Sequence, residues 1–189
     1  MKNNILILSA IAMMGGTALG QSVEINTANS SIQWEGGNIT GKLHNGHVAL
    51  KSGALELRSG NIKGGQFTID MTTMTNADLP EAMGNKLMGH LKSDDFFSVG
   101  TYPNASLVIA SATPFVDGQS TAKATLTIKG VSKQVSFDVS RNGQAYDAEL
   151  VIDRAQFDVR YGSGSFFDNL GDDAILDEMT FTVHLEAKS

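Results

Sequence analysis

The amino-acid sequence predicts a mainly β protein whose strands pair antiparallel, either as a closed barrel or as a sandwich. Apolar and polar residues alternate with a period of two along most of the chain, which is the pattern of strands with one buried face. The 189 residues include 20 glycines, which suit the turns of a many-stranded protein. Only one segment has the apolar spacing of a helix. About eight to ten short strands with a single helix favour an all-β architecture over an alternating α/β fold.

The first twenty residues are typical of a secretory signal peptide. Lys2 supplies a positive start, and residues 5–14 form an apolar run that is too short to cross a bilayer as a helix. Ala18 and Gly20 would occupy positions −3 and −1 if cleavage precedes Gln21. An N-terminal core helix is the alternative. We expect residues 1–20 to be a signal peptide and residues 21–189 to form one exported domain.

Composition excludes several classes of function. The chain has 20 acidic and 14 basic residues, a net charge of −6, and no cluster of Lys or Arg. This balance argues against nucleic acid or an anionic membrane surface as a partner. The chain contains no cysteine. A lipoprotein anchor, a thiolate nucleophile and a thiolate metal site are therefore excluded.

Strand candidates in the first half of the chain are short and centre on pairs of alternating apolar residues. They surround Trp34, Val48 with Leu50, Leu55 with Leu57, Phe67 with Ile69, and Leu107 with Ile109. Between them, the apolar residues of segment 79–91 follow helical spacing, with Pro80 in the first turn, where proline is tolerated. Asp78 is a candidate N-cap for this helix.

The clearest strands form a hairpin over residues 122–139. Its first strand places Ala122, Ala124, Leu126 and Ile128 on one face. After a connection through Gly130, the second strand places Val131, Lys133, Val135, Phe137 and Val139 on the matching face.

Three later segments continue the alternation. The apolar residues of the first are Tyr146, Ala148, Leu150 and Ile152; those of the second are Ala155, Phe157, Val159 and Tyr161; those of the third are Met179, Phe181, Val183 and Leu185. Each is predicted to be a strand with one buried face.

The polar residues provide weak candidates for chemistry. His44 and His47 are three residues apart, so on a regular strand they face opposite sides, which favours hydrogen bonding over metal binding. His90 precedes Asp94 and Asp95, which suggests a carboxylate–histidine pair or, more simply, a residue that ties the helix end to the next loop.

The late loops offer no established motif. The glycine-rich loop 161–167 has neither the Gly-Lys-Ser/Thr of a phosphate loop nor the G-x-S-x-G of a nucleophile elbow. The acidic run over residues 168–178 lacks the ligand spacing of an EF-hand, so a solvated rim is favoured over a calcium site. No Ser/His/Asp set stands out along the sequence, and a catalytic triad whose members come from distant positions stays an open alternative.

Four ordered stretches resemble the YceI-like family of bacterial periplasmic proteins, often described as polyisoprenoid-binding. They are residues 41–71, with Gly46-His47 and Gly64-Gly65; residues 89–103, reading GHLKSDDFFSVGTYP; residues 124–139, with LTIKGVSKQVSF; and residues 150–178, with FDVRYGSGSFF and DDAILDE. Together they span about residues 31 to 187, nearly the whole expected mature chain.

The resemblance implies an extended, lipocalin-like antiparallel barrel of about eight strands, with one helix at its side or mouth. It also implies a periplasmic protein with an apolar tunnel for an isoprenoid, or for a fatty-acyl lipid as proposed for some members. The residues expected to line or cap that tunnel are Trp34, Phe67, Ile69, Leu107, Leu126, Ile128, Phe137, Phe157, Phe166 and Phe181. Phe167 is expected to cap the interior beside Phe166.

The leading hypothesis is therefore a non-catalytic protein that stores or transports a long apolar lipid, with no metal and no cofactor. An enzyme acting on a small hydrophobic molecule near segment 90–95 is the alternative, and a stress-related β protein with a fully packed interior is the third. If the ligand has an anionic headgroup, Lys92, Arg154 and Arg160 are the candidate cations, although each also suits an ordinary salt bridge. Protein partners and oligomeric state are not predicted.

Overall fold

The computed structural model describes residues 20–188, in which nine strands and one α-helix are present. The strands are β1 (Gln21–Glu24), β2 (Ser31–Gly37), β3 (Leu43–Arg58), β4 (Asn61–Asn76), β5 (Asn104–Ala112), β6 (Gln119–Ile128), β7 (Val131–Asn142), β8 (Ala145–Asp153) and β9 (Glu178–Glu186). Helix α1 (Glu81–Lys92) follows β4, and 3-10 turns occupy Arg154–Phe157 and Gly171–Asp173. The predicted cleavage site depends on residues 1–19, which lie outside the described residues.

Strands β2 to β9 close into an antiparallel barrel, which confirms the predicted fold class. The order around the wall is β3-β2-β9-β8-β7-β6-β5-β4, and β4 pairs again with β3. Strands β3 and β4 are each 16 residues long. Because β3 is so long, its first half pairs with β2 and its second half pairs with the extra strand β1. Because the sheet closes on itself, the fold is the barrel and not the sandwich of the two predicted alternatives.

The predicted hairpin is confirmed as β6 and β7. Ala122 lies opposite Phe137 and Leu126 lies opposite Lys133, so the alternating sets share one face of the sheet. Lys129 and Gly130 form the two-residue turn with φ values of 50° and 76°. Positive φ at both central positions is the geometry of the tight hairpin turn that matches strand twist, and glycine adopts it without strain.

Helix α1 is confirmed, but it begins two residues after the start of the predicted segment, and Asp78 does not cap it. The N-cap position is Pro80, which has no capping hydrogen bond. The Asp78 carboxylate instead accepts a hydrogen bond from the Asn45 backbone N–H, 3.0 Å away, so it joins the segment before the helix to β3. Gly84, Met88 and Leu91 form the buried face of the helix.

The strand predicted over residues 155–161 is wrong. Arg154–Phe157 form a 3-10 turn, in which the Asp153 carboxylate accepts a hydrogen bond from the Ala155 N–H. Asp158 then adopts a left-handed conformation with φ of 61°. Phe157 and Val159 are both buried, so the apolar alternation is real, but it comes from turn packing and not from a pleated strand.

Candidate functional site

An apolar cavity occupies the interior of the barrel. It holds about 1050 Å³ including the space at its mouth, and 24 residues from β2 to β9 and the loop after α1 line it. Asp147 is the one charged residue among them. A cavity with so apolar a lining suits a ligand with little hydrogen-bonding capacity.

Seven of the ten residues predicted to line a tunnel face this cavity. They are Phe67, Ile69, Leu107, Leu126, Ile128, Phe137 and Phe181. Each lies on a regular strand, where inward and outward positions alternate, and this regularity explains why the sequence pattern found them.

The other three predicted residues do not line this cavity. Trp34 faces a second cavity, and its indole N–H donates to the Thr75 carbonyl at 3.1 Å. Phe157 is 2% exposed and packs in the core from the 3-10 turn. Phe166 is 42% exposed, in a loop, with its ring centroid 4.8 Å from the Arg160 guanidinium carbon. Phe167 is 50% exposed as well, so both rings lie on the surface of the loop.

Sequence reasoning missed much of the lining. The additional apolar residues include Ile32, Leu50, Leu55, Ile62, Met71, Met74, Phe97, Leu150, Val183 and Leu185. Most of them could have been found from the sequence, because they lie at the alternating apolar positions of strands that the sequence predicts. Phe97 carried none, since it lies in the irregular segment after α1, where no periodicity marks the inward positions.

Both ends of the barrel are packed. At the end covered by α1, Phe96 and Phe97 are each 2% exposed and their ring centroids are 4.9 Å apart. At the opposite end, Tyr146 is buried. The centroid of its ring is 6.3 Å from that of Phe115 and 5.5 Å from the guanidinium carbon of Arg141. Arg141 also donates to the Gly60 carbonyl in the turn between β3 and β4, which secures this end.

A second cavity lies beneath α1. Trp34, Leu87, His90, Arg154 and Met179 are among its lining residues. The His90 ring meets Tyr161 edge-on at 4.4 Å between centroids, and its Nε2 atom is buried without a hydrogen-bond partner. The expected tie between helix end and loop is present, but it uses the His90 backbone carbonyl, which accepts from the Ser93 hydroxyl and N–H.

Each cation proposed for an anionic headgroup has another partner. Arg154 is 1% exposed and donates to three backbone carbonyls, those of Val159, Ile175 and Leu176. Burial lowers the pKa of Arg154, and the nearby carboxylates of Asp177 and Asp153 oppose this change. Lys92 donates to the Thr72 carbonyl, and Arg160 pairs with Asp158.

One residue of the late acidic run, Asp177, is hydrogen-bonded to the glycine-rich loop. Ser163 and Ser165 both donate their hydroxyls to Asp177 Oδ2, at 2.9 and 2.6 Å. Asp177 Oδ1 is 3.3 Å from an Arg154 nitrogen. Asp177 therefore fixes the loop between the 3-10 turn and β9.

The His44 ring contacts the carboxylate of Asp78. Its Nδ1 atom is 2.7 Å from Asp78 Oδ2. Over residues 20–188, no group of three His, Asp or Glu side chains is arranged to hold a metal ion. Burial acts to raise the pKa of Asp78, but hydrogen bonds from the Asn45 N–H, His44 and Asn76 outweigh it and lower the pKa to about 2.

The low pKa of Asp78 predicts a pH-dependent contribution to stability. Because the folded-state pKa is about 2 and the ordinary value is 3.8, the contribution is fully present above the ordinary value and is lost as the pH falls through the folded-state value. We expect Asp78→Asn to be less stable than the wild type at neutral pH, with the gap narrowing by about 1–2 kcal/mol between about pH 4 and pH 2. Urea unfolding across that range measures the gap; a constant gap would contradict the assignment.

The chain is similar to a known protein family and to several solved structures. The YceI-like domain model matches residues 24–187. Among curated proteins, none is similar enough to match. In the described part of the chain, no helix is both long and apolar enough to span a membrane.

Several solved structures share the fold. BcnA from Burkholderia cenocepacia is 26% identical, with a TM-score of 0.68 over 87% of this chain and 99% of BcnA. A polyisoprenoid binding domain from Saccharophagus degradans, implicated in plant cell wall breakdown, is 16% identical, with a TM-score of 0.58 over 88% of this chain and 98% of that domain. A YceI protein from Campylobacter jejuni is 16% identical, with a TM-score of 0.52 over 100% of this chain and 91% of that protein.

Proposed function

This chain belongs to the YceI-like family, and we propose that it binds a long apolar lipid inside its barrel without catalysing a reaction. The observation that carries this proposal is the interior cavity, whose 24 lining residues include a single charged one. A fully packed interior, the third hypothesis, does not account for a cavity lined by side chains from eight strands.

The physical chemistry of the cavity favours a hydrocarbon tail. A tail without hydrogen-bonding groups leaves no buried donor or acceptor unpaired in such a site. Each buried methylene contributes roughly 0.8 kcal/mol, so a tail of several isoprene units binds tightly without a polar contact. The fold shared with a polyisoprenoid binding domain supports an isoprenoid as the ligand, with a fatty-acyl chain as the other candidate.

The absence of catalysis is also part of the proposal. The alternative hypothesis needs an acid–base pair near segment 90–95. In the described structure, Asp94 Oδ1 accepts from the Ser98 hydroxyl 2.6 Å away, and the ring of His90 contacts Phe96 and Tyr161. This arrangement supports a structural role for the segment.

Mass spectrometry of an organic-solvent extract tests the function. Protein purified from its native host is expected to release a long-chain lipid in proportion to protein. Leu107→Trp fills part of the cavity and should reduce the amount recovered, while Val108→Trp, on the next residue of β5 and 46% exposed, should not. Wild-type protein that releases no lipid and also binds none in solution would overturn the proposal.

Export to the periplasm is proposed on the signal-like residues 1–20. We predict that the exported protein begins at Gln21. Intact-mass measurement on periplasmic protein checks this, and a mass that retains residues 1–20 would contradict it.

A further inference from the structure

The barrel wall is incomplete between β7 and β8. All ten residues of β6 pair with β7, and all nine residues of β8 pair with β9. In contrast, β7 pairs with β8 only where Val139–Asn142 meet Ala145–Ala148. Beyond that point, residues 131–138 of β7 and 149–153 of β8 diverge, and no other described strand pairs with either edge.

The end of this gap farthest from the paired residues is closed by other contacts. Only the part of the gap next to the paired residues stays open. The 3-10 turn that follows β8 packs against β7. The Lys129 ammonium also donates to the Asp158 carbonyl at 3.0 Å, which joins the β6–β7 turn to the segment after β8. The slot is therefore bounded by β7 on one side, β8 on the other and this turn at its base.

Residues on both edges of the slot line the interior cavity, Phe137 on β7 and Leu150 on β8. Asp147 faces outward, with its carboxylate 2.6 Å from His184 Nδ1 and half exposed, yet it lines the interior cavity. A depression on the outside of the wall shares Asp147, Ala148 and Val183 with the interior cavity. Asp138 and Glu149, just past the last β7–β8 pair, also line that depression.

We propose that the ligand enters and leaves the barrel sideways, through the slot between Phe137–Asp138 of β7 and Glu149–Leu150 of β8. This inference depends on the proposed function, since it concerns the route of the lipid to the cavity. Both barrel ends are packed by buried aromatic side chains, whereas at the slot no backbone ladder joins the two strands. A sideways route lets a long chain slide in without unpacking either end.

Acidic side chains border the slot. The carboxylates of Asp138, Asp147 and Glu149 border it, and no lysine or arginine lines the outer depression. An anionic headgroup would meet repulsion there, so a neutral single-chain isoprenoid is the matching probe.

Site-specific blocking tests the route. Because the chain has no cysteine, a single introduced cysteine takes a bulky thiol-reactive polymer at one defined position. Glu149→Cys places the polymer at the slot, and Gln66→Cys places it on β4, on the opposite side of the barrel. Arg58→Cys places it at the end away from α1, and Met83→Cys on the exposed side of α1. Stopped-flow fluorescence with dansyl-labelled farnesol gives association and dissociation rates, and equilibrium titration gives Kd.

The expected result is specific to position 149. A barrier on the route slows both directions equally, so both rate constants should fall by about tenfold or more while Kd changes by less than about threefold. The three control conjugates should match unlabelled protein. Slowing at position 58 or 83, with normal rates at 149, would overturn the lateral route but leave the proposed function intact. Wild-type protein that binds no probe at equilibrium would instead overturn the proposed function and the route with it.

Discussion

Phe67→Asp is expected to destabilise the barrel by at least about 3 kcal/mol and to abolish lipid binding. Phe67 is 6% exposed on β4, between Leu107 of β5 and Gly53 of β3, and it lines the cavity. The substitution removes a large buried ring and places a carboxylate in an apolar interior, and each change is costly alone.

The matched control is the neighbouring residue. Gln66 is exposed on the outer face of the same strand, so Gln66→Asp should change the free energy of unfolding by less than about 0.5 kcal/mol. Urea unfolding of the two variants compares the faces directly. Equal losses from both would mean that the inward and outward faces of β4 are wrongly assigned. Leu126 is a poorer position for this test, because Lys133 lies directly opposite and would pair with an introduced carboxylate.

Arg154→Leu is expected to cost about 3–4 kcal/mol of stability, although it replaces a charge with an apolar residue. The guanidinium donates to three backbone carbonyls and neighbours Asp177, so its removal leaves one buried and two part-buried carbonyls without their donor and Asp177 without its cation. These acceptors belong to the segment between the 3-10 turn and β9.

Arg160→Leu provides the comparison. Arg160 is six residues along the same segment, its side chain is 57% exposed, and its partner Asp158 is 47% exposed. Exposed ion pairs contribute little, so this variant should stay within about 1 kcal/mol of the wild type. Thermal and urea unfolding measure both. An Arg154→Leu protein as stable as Arg160→Leu would contradict the structural role assigned to Arg154.

The regular strands account for what the sequence predicted well. In the β6–β7 hairpin, the apolar residues that recur at every second position face the interior. The alternation of apolar and polar residues is therefore enough to identify both strands and their buried faces. The same regularity located seven of the ten predicted lining residues. Helix α1 was also readable, because its buried residues Met88 and Leu91 keep helical spacing.

The irregular segments account for what the sequence predicted poorly. Alternation at Phe157 and Val159 looks like a strand, but Asp153 begins a 3-10 turn and Asp158 reverses the chain. Trp34 alternates inward correctly, yet α1 and Arg154 enclose it in a separate cavity, which depends on contacts between distant segments. The β7–β8 ladder stops after four residue pairs, and this too depends on tertiary contacts, since the alternation of apolar and polar residues continues unbroken along both strands in the sequence.

The most direct test of the barrel as a lipid site is affinity as a function of tail length. Isothermal titration with a series of isoprenoid alcohols, and a parallel series of fatty acids, at two salt concentrations separates the tail from the headgroup. Affinity should rise by up to roughly 0.8 kcal/mol per added methylene until the cavity is full and then level off, with little dependence on salt. In Leu107→Trp the plateau should come at a shorter tail, and in Val108→Trp it should not move. Affinity that does not depend on tail length but falls steeply with salt would show that the headgroup decides binding, and would contradict the apolar cavity as the site.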